Sequence, residues 1–356
     1  MTSLMRTAAL VACFLSGAAL AAEPTLPTVK IFTTGGTIAG SGSSSTDLTN
    51  YKAGGISGND LVKSVPELTR FAKTEVEQIA NVGSYDLTIA NWISLARKIN
   101  DALANPGISG VVVTHGTNTI EETAYFLNLT VKSDKPVVLV GAMRPATAIS
   151  ADGPLNLINA VRVAIAPDAR GKGAMVVLND EISSARDVTK EHTSRVEAFR
   201  PTDFGYLGYI DEDKVAFYRA PVHRHTAKSE FDVSKLDTLP AVDILYAYIQ
   251  PTLGLVDALV KAGSQGIVFA GTGAGDISTA ERNALAPTMK MKPEVRPVFV
   301  RSSRVGNGRV TATKDYEPFG MIAADTLNPQ KARILLMLAL TKTRDPKELQ
   351  RIFSEY

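Results

Sequence analysis

Cysteine is almost missing from this 356-residue chain, and its single copy, Cys13, lies inside the N-terminal stretch MTSLMRTAALVACFLSGAALAA. That stretch has one basic residue, Arg6, then an apolar run, then the small-residue pattern Ala19-Leu20-Ala21, the pattern of a secretory leader cleaved near Ala21 or Ala22. The residues after Cys13, CFLS, do not read as a lipid-attachment site. A chain without its leader therefore has no disulfide, no thiol nucleophile and no thiolate metal ligand. Long apolar runs are also scarce: beyond the leader none approaches the ~20 residues of a membrane-spanning helix, so no membrane association is expected. Charge is balanced, with 37 basic against 36 acidic residues once Arg6 is set aside. No basic cluster is present, which argues against nucleic acid or an anionic membrane as partner. The G-x-x-x-x-G-K-[ST], G-x-S-x-G and H-E-x-x-H motifs are absent, which removes the usual warrant for an NTPase, an α/β-hydrolase or a zincin.

What is present is an ordinary globular composition, 45% apolar and 21% charged, in a chain long enough for two domains. Short apolar runs alternate with amphipathic stretches: VKIFTT, GVVVTH, KPVVLVGA and GAMVVLND, later AVDILYAYI, QGIVFAG and RPVFVRSS. This pattern predicts an α/β fold of two domains, a larger N-terminal doubly wound, mainly parallel sheet and a smaller C-terminal parallel-sheet α/β domain. Asn91 is read as opening the helix NWISLARKINDAL, and Thr119 with Glu122 as a capping box before AYFLNLTV. Asn328-Pro329 and Asp345-Pro346 each place a cap before a proline at the first helical position. Between residues 211 and 239 the chain turns polar and irregular. The expected division is a leader at 1–22, an N-terminal domain at 23–215, a linker at 216–239 and a C-terminal domain at 240–356.

In an open parallel sheet, ligand groups collect beyond the carboxyl ends of the strands. Four polar loops follow apolar strands here: TTGGT, THGTNT, GAMRP and NDEISSARDVTK. They carry Thr33, Thr34, Thr37, Thr117, Asn118 and Lys190, with Tyr51 and Ser84 nearby in sequence. A threonine hydroxyl attacks an amide carbonyl when a neighbour accepts its proton and glycines let backbone N–H groups approach the developing oxyanion. Such a site requires neither metal nor cofactor. Taken singly, each threonine is as well explained as a cap or strand-end hydroxyl; threonine-rich rims on separate strands are harder to explain that way. The glycine string GTGAGD at Gly271–Asp276 is read as turn chemistry. The pair His223 and His225 is read as solvated surface rather than a metal site, since it lacks acidic companions.

The stretches TTGGTIAG (33–40) and VVTHGTNTIEETAYFL (112–127) resemble the two signatures of bacterial type II L-asparaginases and glutaminase-asparaginases. GSYD at Gly83, VGAMRPATAISADGPLNL at Val140, DVTK at Asp187, RSSRVGNG at Arg301 and LNPQKAR at Leu327 follow in that family's order, so the likeness spans the mature chain. The resemblance implies an amidohydrolase that converts L-asparagine to L-aspartate and ammonia by ping-pong acyl transfer, with secondary glutaminase activity. It makes Thr37 the nucleophile, Tyr51 the tyrosine of a loop that closes over the substrate, Ser84 the holder of the substrate α-carboxylate, Thr117 the second catalytic threonine and Lys190 the lysine that tunes proton transfer. Three positions depart from the family pattern. Asn118 stands where an aspartate usually receives the α-ammonium group, Tyr85 where glutamine or glutamate is usual beside the substrate, and Gln250 where a neighbouring subunit usually supplies asparagine or serine. The segment RVTATKDYEPFG offers no clear counterpart of the family's partner-subunit glutamate.

The same resemblance implies a periplasmic homotetramer with sites between subunits, and the apolar helix ARILLMLAL is a candidate for such a contact, or equally for the core. A second functional class fits the leader and the two-domain plan: a periplasmic amino-acid-binding protein on the same fold, with little turnover. Retention of Thr37, Thr117 and Lys190 favours the enzyme, because a binder has no use for two nucleophile positions and an adjacent lysine.

Overall fold

The computed structural model describes residues 25–201 and 203–356, so the expected leader and its cleavage point lie outside the described residues. β1 (Thr28–Gly35) runs into one 3-10 turn at Thr37–Ala39, then a small hairpin of β2 (Ser41–Gly42) and β3 (Tyr51–Lys52), the short helix α1 (Gly58–Lys63) and β4 (Lys73–Val82). A regular alternation follows: α2 (Ile89–Ala104), β5 (Ile108–Thr114), α3 (Ile120–Thr130), β6 (Val137–Val140), α4 (Gly153–Ile165) and β7 (Ala174–Leu178). The chain then adds β8 (Glu181–Ser184), a separate ribbon of β9 (Val188–Lys190) with β10 (Phe199–Pro201), and β11 (Gly208–Ile210) with β12 (Val215–Phe217).

Eight strands form one sheet in the order β12-β11-β8-β7-β6-β5-β1-β4. The five from β7 to β4 are parallel, and β8, β11 and β12 close one edge antiparallel. Successive residues of the parallel strands fall into two different cores. Phe32, Val111, Val113, Leu139 and Val176 pack in one cluster with α2 and α3, while Ile31, Val112, Val138, Met175 and Val177 pack in a second with α1 and α4. With helices over both faces, the inner strands β5, β6 and β7 are apolar nearly throughout, which is why they read as continuous runs, whereas the edge strand β4 (KTEVEQIANV) is largely polar. From β1 the chain moves outward to β4 and then returns across β1 to β5, so the direction of winding reverses between β1 and β5. Loops leaving those two strands separate, and a crevice opens at their carboxyl ends.

A second sheet is four-stranded and parallel, in the order β13 (Val242–Tyr246), β14 (Gly266–Gly271), β15 (Val298–Ser303) and β16 (Ile322–Ala323). It is flanked by α5 (Leu255–Lys261), α6 (Thr279–Ala284), α7 (Ala286–Met289), α8 (Pro329–Ala339) and α9 (Pro346–Glu355). The α/β class with a large and a small parallel sheet is as expected. Asn328 and Asp345 cap α8 and α9 as their sequence indicates, accepting from the N–H groups of Lys331 and Glu348.

Three local expectations are corrected, and one left open is decided. Helix α2 starts earlier: Thr88 is its cap, and Asn91 completes a capping box from the third helical position. Thr119 precedes α3 without a side-chain cap bond, because its hydroxyl donates instead to the carbonyl of Ser84. The expected loop NDEISSARDVTK is more than half strand, since Asn179 and Asp180 take positive φ (53° and 62°) and turn the chain straight back into β8, and β9 follows. ARILLMLAL is a core helix: α8 contacts α3, β13 and β14, and Leu335, Leu336 and Leu338 are 0–1% exposed. Burying each such leucine contributes roughly 1.5–3 kcal/mol, so this face is already used within one chain and is not free for a partner.

The polar stretch 211–239 is anchored along its length. Val215–Phe217 joins the large sheet, Phe231, Val233 and Leu239 enter the first core, and Arg97 donates to the carbonyls of Val233 and Leu236.

Candidate active site

At the switch point the turns after β1 and β5 touch through glycine. Gly36 has φ 80°, and a Cβ there would lie 2.3 Å from the Cα of Gly116. A Cβ on Gly116 would in turn lie 2.9 Å from Cβ of Ser84. Only glycine permits this approach, and through it Thr37, Thr117 and Ser84, from the loops after β1, β5 and β4, are gathered at the carboxyl ends of adjacent strands. All three are buried, at 9%, 4% and 5% exposure.

Thr37 Oγ1 is 2.7 Å from the hydroxyl of Tyr51. The ring of Tyr51 rests on Gly40, where any Cβ would come within 2.9 Å of it. The loop that carries Tyr51 is pinned on its other side, with Gly42 N–H donating to Thr147 Oγ1 at 2.9 Å and Ile149 N–H donating to the carbonyl of Ser45. Thus GAMRPATAIS, the polar segment after β6, acts as the seat of this loop.

Lys190 arrives from the β9 ribbon. Its Nζ lies 2.9 Å from Thr117 Oγ1 and 3.0 Å from Asn118 Oδ1. Burial pulls the Lys190 ammonium below its ordinary value, and the carboxylate of Glu121 opposes that shift. A lysine held this way passes between its charged and neutral forms more readily than one in water, and its hydroxyl partner is Thr117. The turn behind Thr117 is fixed by a buried chain of hydrogen bonds: Trp92 Nε1–H donates to Thr123 Oγ1, Thr123 to His115 Nε2, and His115 Nδ1–H to the carbonyl of Gly116. Burial lowers the pKa of His115 to about 4, so it stays neutral and its tautomer is set by its two partners.

Two family models match this chain in tandem, "Asparaginase, N-terminal" over residues 28–223 and "Glutaminase/Asparaginase C-terminal domain" over residues 241–353. The chain belongs to the asparaginase family. It is 51% identical to L-asparaginase 2 of Bacillus subtilis over 341 residues, covering 96% of this chain and 90% of that protein. It is 48% identical to a Haemophilus influenzae protein named Probable L-asparaginase periplasmic, over 98% of both chains. Among solved structures, the probable cytoplasmic L-asparaginase of Campylobacter jejuni superposes with a TM-score of 0.89 at 51% identity, covering 93% of this chain and all of that one.

Within this asparaginase fold, the residues expected at the site separate into two groups. Thr37, Tyr51, Ser84, Thr117, Asn118 and Lys190 come together. Thr33 and Thr34 do not: Thr34 Oγ1 donates to the carbonyl of Thr114, and Thr33 Oγ1 is buried against Gly58 with no partner among the described residues. Tyr85 neighbours Ser84 but is 67% exposed, its ring lying over Gly83. GTGAGD is a closed turn, held by buried Arg301, whose Nε and Nη2 donate to the carbonyls of Gly275 and Ala274. The two histidines are not the solvated surface expected: His225 is buried and bonds Thr226, and His223 is half-buried near Arg186 and Asp187; among the described residues no group of three or more His, Cys, Asp or Glu is arranged to hold a metal.

Sequence reading passed over Glu121, which is 6% exposed and contacts the Lys190 strand directly. Its signal was helical spacing: Glu121 shares a face with Ala124 and Tyr125, which are apolar and fully buried, and an acidic residue on such a face needs partners.

Proposed function

We propose that this chain hydrolyses L-asparagine to L-aspartate and ammonia, with secondary activity on glutamine. The observation that carries the reading is the pairing of two hydroxyls on touching turns, Thr37 with Tyr51 and Thr117 with Lys190. In the first half-reaction Thr37 Oγ1 attacks the side-chain carbonyl carbon, its proton passes by way of the Tyr51 hydroxyl to the leaving nitrogen, and ammonia departs to leave an ester. In the second, water attacks that ester, Thr117 and Lys190 take up its proton, and that proton is passed on to Thr37 Oγ1 as aspartate leaves. Ser84 receives the substrate α-carboxylate, and the Tyr51 loop, seated on Thr147, closes the site against bulk water. A periplasmic binding protein on this fold is not favoured, since binding alone needs neither hydroxyl pair. Ammonia release from L-asparagine by the purified protein is the direct test, and binding without release would refute hydrolysis.

Asn118 is the informative departure. Its Oδ1 already accepts from Lys190, so an incoming α-ammonium meets an amide oxygen and no full negative charge. Charge-assisted hydrogen bonds exceed neutral ones by about 1 kcal/mol, a several-fold change in affinity. Asn118→Asp is therefore expected to lower KM for asparagine several-fold and to sharpen discrimination against the desamino amide. The new carboxylate also stabilises the Lys190 ammonium, so the acid limb of turnover moves to higher pH. Steady-state kinetics with both substrates across pH read both effects. Unchanged selectivity would remove Asn118 from the ammonium site.

The assembly in this reading is a secreted homotetramer with sites between subunits. Support comes from the outer strand of the small sheet and the loop after it, where Tyr246, Tyr248, Ile249 and Leu253 are 60%, 46%, 95% and 53% exposed. An apolar patch of this kind is unusual on a monomer. Gln250 lies within it, exposed and at φ 55°. Native mass spectrometry of protein from its own host should give four times the mass of a chain lacking about 22 residues. A monomer with full activity would refute the assembly, and a retained Met1 would refute export.

A further inference from the structure

Strand β9 carries Lys190 but is only three residues long and stands outside the large sheet, paired among the described residues with β10 alone. Its position is fixed instead by two buried charged side chains. Glu121, in the first turn of α3 and four residues after Thr117, accepts through Oε1 from Thr189 Oγ1 at 3.1 Å and from Lys190 N–H at 3.4 Å. Lys331, in the first turn of α8 and 1% exposed, donates its Nζ to the carbonyls of Arg186 and Val188. The same strand is thus held through its donors by the large domain and through its acceptors by the small one. The two holders are joined, since Glu121 Oε2 accepts from Asn328 Nδ2 at 3.1 Å and Gln330 Nε2 at 3.4 Å, and lies 3.9 Å from Lys331 Nζ.

Resting on the proposed hydrolysis, we infer that Glu121 is a positioning residue, which with Lys331 clamps the Lys190 strand against the Thr117 helix and sets the pH range of turnover through its charge. A buried carboxylate is costly unless fully paired, and this one has four hydrogen bonds and an adjacent ammonium. Those partners connect the cap of α8 to the lysine strand, so docking of the small domain onto α3 is felt at Lys190. Other charges lie on the elements next to Lys190: Asp187 and Glu191 on its own segment, Arg200 opposite Thr189 on β10, and Lys331 of α8 bound to the Val188 carbonyl. Of these charges and Glu121, it is Glu121 whose field opposes the effect of burial on the Lys190 ammonium.

The test compares two near-isosteric variants. Glu121→Gln keeps one acceptor oxygen but removes the charge and turns an amide N–H toward Asn328, Gln330 and Lys331. It should reduce kcat roughly 10- to 100-fold, the scale of a displaced catalytic group. Losing the carboxylate destabilises the Lys190 ammonium, so the acid limb of the kcat profile should move to lower pH, a change that loosened packing alone does not produce. Thr189→Val removes a single bond to Glu121 and leaves its charge. It should lower kcat several-fold with KM unchanged and the acid limb in place. If Glu121→Gln does not fold, Thr189→Val decides by itself, and wild-type kcat in that variant overturns the inference. Wild-type kcat and an unmoved limb in folded Glu121→Gln overturn it as well. Lys190→Met, assayed in parallel, separates the two levels: if it keeps full activity the proposed mechanism fails, and if it is inactive while both clamp variants are normal, only the clamp fails.

Discussion

Thr37→Ala is expected to lose nearly all amide hydrolysis while remaining folded. Removing the nucleophile of a covalent mechanism lowers kcat by roughly three to six orders of magnitude, because the remaining groups have no acyl acceptor to assist. The structural cost is small by comparison. The Thr37 hydroxyl bonds Tyr51, and losing a neutral hydrogen bond costs about 1 kcal/mol. The 3-10 turn depends on backbone bonds such as Gly40 N–H to the Thr37 carbonyl, which alanine keeps. A coupled ammonia assay with a thermal melt separates loss of chemistry from loss of fold. Ammonia release within tenfold of the parent would move the nucleophile elsewhere, with Thr117 the next candidate on the facing turn.

Lys190→Met should be the second most damaging change, lowering kcat roughly 10²- to 10⁴-fold, the usual contribution of a positioned acid–base group. Methionine fills the space of the lysine stem but offers nothing to the Thr117 hydroxyl, which loses its partner at 2.9 Å. The pH dependence follows from the wild-type environment. Burial disfavours the ammonium and brings the pKa of Lys190 below the ordinary 10.5. Turnover that needs the neutral amine therefore rises with pH at a point below that value, and in Lys190→Met this limb should disappear from what activity is left. Profiles of kcat from neutral to strongly alkaline pH check this. An identical limb in the variant would assign the titration to another group.

These expectations differ in how they rest on sequence. The turns holding Thr37 and Thr117 were legible because their chemistry is local: an apolar strand, two glycines or a His-Gly pair, then hydroxyls. The strand–helix alternation from β5 to β7 was legible because burial on both faces makes those strands apolar nearly throughout. The caps at Asn328 and Asp345 were legible because cap and proline are adjacent in the chain. Reading failed where a side chain had a choice of partner. Thr119 had the spacing of a capping box with Glu122, yet its hydroxyl goes to Ser84, 35 positions away in the chain. The apolar stripe of α8 said that the helix had to be covered, and did not say by what.

By itself, then, the sequence determined the α/β class, the strand-end turns and the hydroxyl, amide and lysine groups of the site, since periodicity, glycine and capping act over a few residues. Tertiary structure alone decided which of those groups meet. The winding reversal between β1 and β5 brings Gly36 against Gly116, and the clamp of Glu121 and Lys331 brings Lys190 to Thr117 across 73 positions of chain. Pairings of that separation depend on how strands are ordered and how two domains dock, because a side chain's local spacing does not encode which distant donor its buried oxygen will find.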